Sequence, residues 1–340
     1  MIGIDGSHGE AGGQILRTAV ALSAVTQQPC HVFNIRKGRC NPGLQAQHLA
    51  GVKAVGKLCD AKIEGLKIGS EEIVFHPGKI KDGLIEIDVG TAGAISLVLQ
   101  SLMIPAIHCK NKIDIKIAGG TMVRWAPTVG YIQNVTLPML RKIGYRGEIK
   151  ILNHGFYPKG GGLVEAIIEK SEIKPIELLK RGKAMQVKGT ITVSENLQGK
   201  KVAERMEKEC KERLFAFYKI KPEIEINYVS SLSTGGGVDL YVLYEEAVLG
   251  SNALCDIKKS AEKVADEAVN FLIYQDKTNA PLDEYMEDQI LPYIALAGSG
   301  KVKVPKITSH TRTNIHVIEQ FLPVKFVINE KEKIIYVQNV

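Results

Sequence analysis

Met1-Ile-Gly-Ile-Asp5-Gly-Ser-His-Gly-Glu10-Ala-Gly-Gly-Gln14-Ile-Leu-Arg17 opens the chain. Met1–Asp5 reads as a short apolar strand, the run from Gly6 to Gly13 as a glycine-rich turn, and Gln14–Val25 as a helix. A β-type run (His31–Ile35), a basic loop (Arg36-Lys-Gly-Arg39) and a second helix from Leu44 to Leu58 follow. Strand-like runs at Lys62–Ile68 and Glu72–Phe75 complete a β-α-β-α-β-β unit.

The unit recurs. Leu84–Val89 reads as a strand, Ala94–Ile107 as a helix, Lys112–Ile117 as a strand and Thr128–Ile143 as a helix, before strands near Gly147–Leu152 and Gly162–Glu169. A third, abbreviated copy has a helix at Leu282–Leu296, a strand at Lys301–Ile307, a loop Ser309-His-Thr-Arg312, a helix at Asn314–Phe321 and a closing hairpin. Residues 184–278 break this rhythm and carry net charge −2, whereas the remainder carries +9. The fold expected is α/β: three repeated β-α-β-α-β-β units in a large domain, 1–183 and 279–340, with a small α/β domain, 184–278, inserted between the second and third units.

Length and composition agree with this. The 340 residues are 45% hydrophobic and 24% charged, a globular composition. No apolar run approaches the roughly 18 residues of a membrane helix, and the N-terminus lacks signal-peptide features. A cytoplasmic protein with no membrane partner is expected. Six scattered cysteines without C-x-x-C spacing read as reduced thiols.

Each unit places a loop after the strand that follows its first helix. These loops hold Arg36 and Arg39, then Gly119, Gly120 and Arg124, then His310 and Arg312. Packed about a pseudo-threefold axis, they would gather guanidinium groups and glycine-turn N–H groups into a phosphate site. Taken singly, each reads equally well as an ordinary turn with solvated arginines. In the first turn Glu10 suits either a divalent ion that also binds phosphate or a helix-start carboxylate. His310 stands among Ser309, Thr311, Arg312, Thr313 and Asn314, all polar and ahead of an amphipathic helix.

The ordered stretches Asp5–Arg17, Ile35-Arg-Lys-Gly-Arg39 with Pro42-Gly-Leu44, Gln45-Ala-Gln47-His48-Leu49 and Gly119-Gly-Thr121 carry a resemblance, joined by His154–Gly162, Ala295-Leu-Ala-Gly298 and Ser309–Asn314. Through them the chain resembles the RNA 3′-terminal phosphate cyclases over essentially its whole length, a family whose repeated unit recurs in enolpyruvyl transferases.

The resemblance implies ATP-dependent conversion of RNA 3′-phosphate ends to 2′,3′-cyclic phosphodiesters, with release of AMP and diphosphate. It implies His310 as the nucleophile that takes AMP, and Glu10 as the ligand for Mg²⁺ or Mn²⁺. Arg17, Arg36, Arg39 and Gln47 then look like phosphate contacts, Gln100 like an ATP contact, and Pro127 like packing for adenine. Tyr285-Met286-Glu287-Asp288-Gln289 looks like the nucleotide segment, with Tyr285 stacking on the base and Asp288 bonding near the nucleophile. The partners implied are ATP, RNA 3′-phosphate ends and a second copy in a homodimer. Two rivals are a cyclase-like ribosomal RNA processing factor, which would lack the histidine found at 310, and an enolpyruvyl transferase, which would need neither that histidine nor ATP.

Overall fold

The computed structural model describes all 340 residues. Four four-stranded sheets account for the strands. In the first unit β1 (Ile2–Asp5), β2 (Cys30–Phe33), β3 (Lys62–Glu64) and β4 (Ile73–His76) alternate with α1 (Gly13–Thr26) and α2 (Ala46–Cys59). The sheet order is β1-β2-β4-β3, the first pair parallel and the others antiparallel. The second unit has β5 (Gly83–Asp88), α3 (Ile95–Ala106), β6 (Lys112–Gly119), β7 (Gly147–Asn153) and β8 (Gly162–Glu169). Its second helix begins as α4 (Val129–Tyr131), passes through a π-helical stretch, Ile132–Thr136, and ends as α5 (Leu137–Arg141). The order β5-β6-β8-β7 repeats the first pattern.

The third unit is complete, not abbreviated. Its opening strand, β9 (Glu177–Leu178), lies ahead of the insertion and pairs parallel with β14 (Gly300–Lys303) through Glu177↔Lys301 and Leu178↔Val302. The inserted segment therefore enters after the third unit's first strand instead of before the unit. It comprises β10 (Ala184–Ser194), α6 (Val202–Tyr218), β11 (Glu223–Val229), β12 (Gly236–Tyr244), β13 (Val248–Leu254) and α7 (Ala261–Lys277), with sheet order β11-β10-β12-β13. The third unit then resumes with α8 (Met286–Gln289) and α9 (Leu291–Leu296), two short helices where the sequence reads as one. After β14 come α10 (Ser309–Phe321), β15 (Val324–Asn329) and β16 (Ile334–Asn339). The stretch Ser309–Arg312 is not a loop: Thr308 caps α10 by accepting a hydrogen bond from the Thr311 N–H (3.1 Å), so His310 lies in the first helical turn.

Strand alternation explains the layers. In β6, Ile113, Ile115 and Ile117 face inward while Lys112, Asp114 and Lys116 point out. The inner faces and the helices share one apolar cluster spanning all three units and the insertion. At its centre lies α1, where Ala19, Val20, Ala21, Leu22 and Ala24 are buried; α2, α3 and α10 all pack against it. No helix is long and apolar enough to cross a membrane.

One buried carboxylate joins the insertion to the segment carrying α8. Asp283 accepts hydrogen bonds from Tyr131 Oη (2.6 Å), from Gly250 N–H of β13 (2.8 Å) and from the N–H groups of Tyr285 and Met286 (both 2.9 Å). Gly250 is required there, since a Cβ would come within 2.5 Å of Val135 Cγ2. Tyr131→Phe removes one donor from a buried carboxyl and is expected to lower unfolding free energy by about 1–3 kcal/mol, read from a urea transition; an unchanged midpoint would contradict this role.

Candidate active site

Two helices from opposite ends of the chain present polar stripes to each other. On α1 these are Gln14, Arg17 and Thr18, spaced i, i+3, i+4; on α10 they are His310 and Asn314, spaced i, i+4. Thr18 Oγ1 donates to Asn314 Oδ1 (2.8 Å), and Asn314 Nδ2 donates to the Asp288 carbonyl (2.8 Å). Between them Gln14 donates through Nε2 to Asp288 Oδ2 (2.5 Å), which turns its Oε1 to His310 Nδ1 at 2.9 Å. An amide oxygen only accepts, so Nδ1 carries a proton, and Nε2 is the nitrogen turned away from this clamp.

The exposed half of the ring faces the glycine-rich turn. His310 Nε2 is 2.7 Å from Glu10 Oε2, a separation at which a proton lies between the two atoms. Glu10 Oε1 accepts from Ser309 Oγ (2.9 Å), and Arg39 Nη2 donates to the Glu10 carbonyl (3.2 Å) while standing 3.6 Å from Oε2. Gly9 at φ +56° brings the turn against α10, where a Cβ would lie 2.2 Å from Thr313 Oγ1. Gly13 permits an equally close approach to His48 Nε2, also 2.2 Å from such a Cβ. His48 itself is buried and neutral, pushed down to about 3 by burial and by Arg17 and Arg36, and it caps α2 by accepting from Gln45 N–H.

Electrostatics favour a neutral His310: burial lowers its pKa, Arg17 and Arg39 act in the same sense, and Glu10 opposes them. Burial pushes Asp288 up to about 7 against the pull of Arg17, whose own guanidinium falls to about 10. Behind the ring a narrow crevice is lined by Gln14, Arg17, Gln100, Thr136, Asp288 and Gln289, contributed by all three units. The π-helical stretch delivers Thr136, which donates to Gln289 Oε1 at 3.0 Å.

The structure brings Glu10, Arg17, Arg39, Gln100, Asp288, Gln289 and His310 to this place. It does not gather the loop arginines as a set, which corrects the expectation of three converging loops. Arg36 donates to the carbonyls of Asn41 and Gly43 in its own loop, Arg124 pairs with Asp256 of the insertion, and Arg312 pairs with Glu330. Each guanidinium has a nearer acceptor, so only Arg39 of the loop set comes to the site. Gln47 accepts from Ala94 N–H (3.2 Å), and the Pro127 carbonyl accepts from Ser96 Oγ (2.6 Å). Tyr285 is partly exposed, stacked on Phe271 of α7 (5.1 Å, 24°) and edge-on to Tyr131 (5.7 Å).

Met286 and Glu287 are fully buried, so neither side chain faces the crevice. Glu287 instead accepts from Thr311 Oγ1 (2.8 Å) beneath the start of α10. Sequence reasoning missed Gln14 and Phe271 as site residues. A polar stripe on an otherwise apolar helix marks Gln14; nothing in the sequence marks Phe271.

Burial raises the Glu287 carboxyl from 4.5 to about 8, so folding favours its protonated form. That stabilisation is complete below the unfolded value and is lost as pH rises through the folded one. Glu287→Gln, which stays neutral, is expected to gain thermal stability over the parent as pH goes from about 6 to about 9, measured by melting at each pH. A gap that does not change with pH would contradict this.

An imidazole in the first turn of a helix, beside a glycine turn and two arginines, is a site suited to handling anions in a fold of repeated α/β units. The sequence pattern of the RNA 3′-terminal phosphate cyclase family matches residues 8–328, and the chain belongs to that family. Proteins named RNA 3′-terminal phosphate cyclase from Pyrococcus furiosus (46% identical, covering 94% of this chain and 93% of the relative) and Methanopyrus kandleri (44%, covering 98% and 96%) are similar to it. One from Methanococcoides burtonii is 42% identical and covers 98% of each chain. The crystal structure of the enolpyruvyl transferase NikO from Streptomyces tendae matches half of the chain at a TM-score of 0.29 and 12% identity, a likeness too slight to carry an argument.

Proposed function

We propose that this protein converts the 3′-terminal phosphate of RNA into a 2′,3′-cyclic phosphodiester at the expense of ATP, through a covalent adenylate on His310. The observation that carries the reading is His310 held at Nδ1 by Gln14, with Nε2 turned to Glu10 and the glycine-rich turn.

The chemistry follows from what each group can do. A terminal phosphate oxygen is a poor leaving group, and joining it to AMP turns one hard displacement into easier ones. Nε2 attacks the α-phosphorus of ATP; an N–P bond forms and diphosphate leaves. An oxygen of the RNA 3′-phosphate then attacks that phosphorus, breaking the N–P bond and yielding RNA-adenylate. Finally the neighbouring 2′-hydroxyl attacks the RNA phosphorus, closing the ring and expelling AMP.

Gln14, braced by Asp288, keeps the ring in one tautomer and one orientation through these steps. Arg17 and Arg39 offset phosphate charge, aided by the N-terminal end of α10. Gln100 and Gln289 line the nucleotide crevice, and Tyr285, backed by Phe271, is the ring against which a base stacks. Glu10 fits a divalent cation such as Mg²⁺ or Mn²⁺, since its Oε2 already faces two nitrogen groups, His310 Nε2 at 2.7 Å and Arg39 Nη2 at 3.6 Å, whose place beside the carboxylate an ion would take. No group of three metal-binding side chains surrounds it, so phosphate oxygens and water would supply the other ligands. Such an ion, when bound, neutralises phosphate charge.

Incubation with α-labelled ATP and Mg²⁺ or Mn²⁺ tests the reading. The protein is expected to become labelled through a bond stable to alkali and broken by acid, and His310→Ala is expected to take no label. Label retained by His310→Ala would overturn the assignment.

A further inference from the structure

Trp125 is the one tryptophan of the chain, and it is 95% exposed on a backbone held at φ +66°. A bulky residue seldom adopts that left-handed conformation, and an indole left in water forfeits all its burial. The loop that carries it is tied to its surroundings. Neighbouring Arg124 is tied to Asp256 of the insertion, beside a fully exposed Ile257. Four residues before Trp125, Thr121 N–H donates to the Gly155 carbonyl (2.9 Å), which joins this loop to the one carrying Tyr157, 77% exposed. That second loop is held to the insertion in turn: Lys159 N–H donates to Ser233 Oγ (3.1 Å), and Gly161 lies against exposed Leu232. Lys159 and Lys258 stand exposed on the same loops without a carboxylate partner.

Two exposed rings on locked loops, interleaved with unpaired lysines, have the chemistry of a stacking surface for unpaired bases with a charged backbone beside it. The surface adjoins the active site: two residues beyond Trp125, Pro127 leads into α4, where Tyr131 meets Tyr285. We propose that Trp125 and Tyr157, with Lys159 and Lys258, form a docking platform for the single-stranded RNA that precedes the 3′-phosphate. The unpaired lysines beside the rings favour a polyanion over a protein as the occupant, since lysine is depleted at protein interfaces. The proposal rests on the cyclase reading and adds to it the place where the strand lies.

The sole tryptophan makes the test direct. Titrating the whole protein with a single-stranded 3′-phosphorylated oligoribonucleotide is expected to quench Trp125 emission, with an affinity that falls as salt rises. ATP alone is expected to leave the emission unchanged. Trp125→Ala and Tyr157→Ala are each expected to raise KM for RNA by about fivefold to 150-fold, from a base-stacking contribution of about 1–3 kcal/mol, while histidine adenylylation stays at the parent level. Trp125→Phe is expected to restore most of the affinity. RNA that saturates the enzyme without altering tryptophan emission, or Trp125→Ala acting on RNA with the parent KM, would overturn the platform and leave the exposed face to a protein partner. Failure of the unmodified protein to adenylylate would instead overturn the cyclase reading, because oligonucleotide binding is read without turnover.

Discussion

A contact between side chains 296 residues apart, from Gln14 Oε1 to His310 Nδ1, aims the ring on which the proposed chemistry depends. It works because α1 and α10 lie side by side in the core, so the first unit supplies the clamp and the third supplies the ring. The amide cannot rotate freely, since its nitrogen is committed to Asp288. That arrangement fixes the ring through Nδ1 and leaves Nε2, turned to Glu10, as the nitrogen the proposed chemistry uses.

Polarity this deep has an energetic cost. Asp283, Glu287 and Asp288 are carboxyls that burial drives toward the neutral form, and each sits within the few residues that form α8 and its approach. Their partners differ in purpose. Asp283 is fully hydrogen-bonded and ties the insertion to the site segment, Glu287 braces the start of α10, and Asp288 orients Gln14. The stability these groups forgo is concentrated where the ring must be aimed, consistent with functional sites that trade stability for arrangement.

Much of the architecture was legible because strand and helix periods differ. β6, with Ile113, Ile115 and Ile117 alternating against charged neighbours, and α1, with its apolar run, declare themselves. β9 does not: two residues beside Pro175 carry no period, and only pairing with β14 identifies them. β13, with Gly250, Ser251 and Asn252 in a buried strand, lacks the apolar content by which strands are read. In the site, Glu10 and His310 stood out through their polar or glycine-rich surroundings. The loop arginines misled, because a guanidinium takes whatever acceptor is nearest and the sequence does not say which that is. Phe271 was invisible because its role depends on how the inserted segment docks.

The central claim concerns which imidazole nitrogen carries the nucleotide. Phosphorus–nitrogen coupling in the NMR spectrum of the adenylated protein, prepared with isotope-labelled histidine, decides it. Phosphorus bonded to Nε2 of His310, with Nδ1 still protonated, is the expected result; phosphorus on Nδ1 would contradict the account.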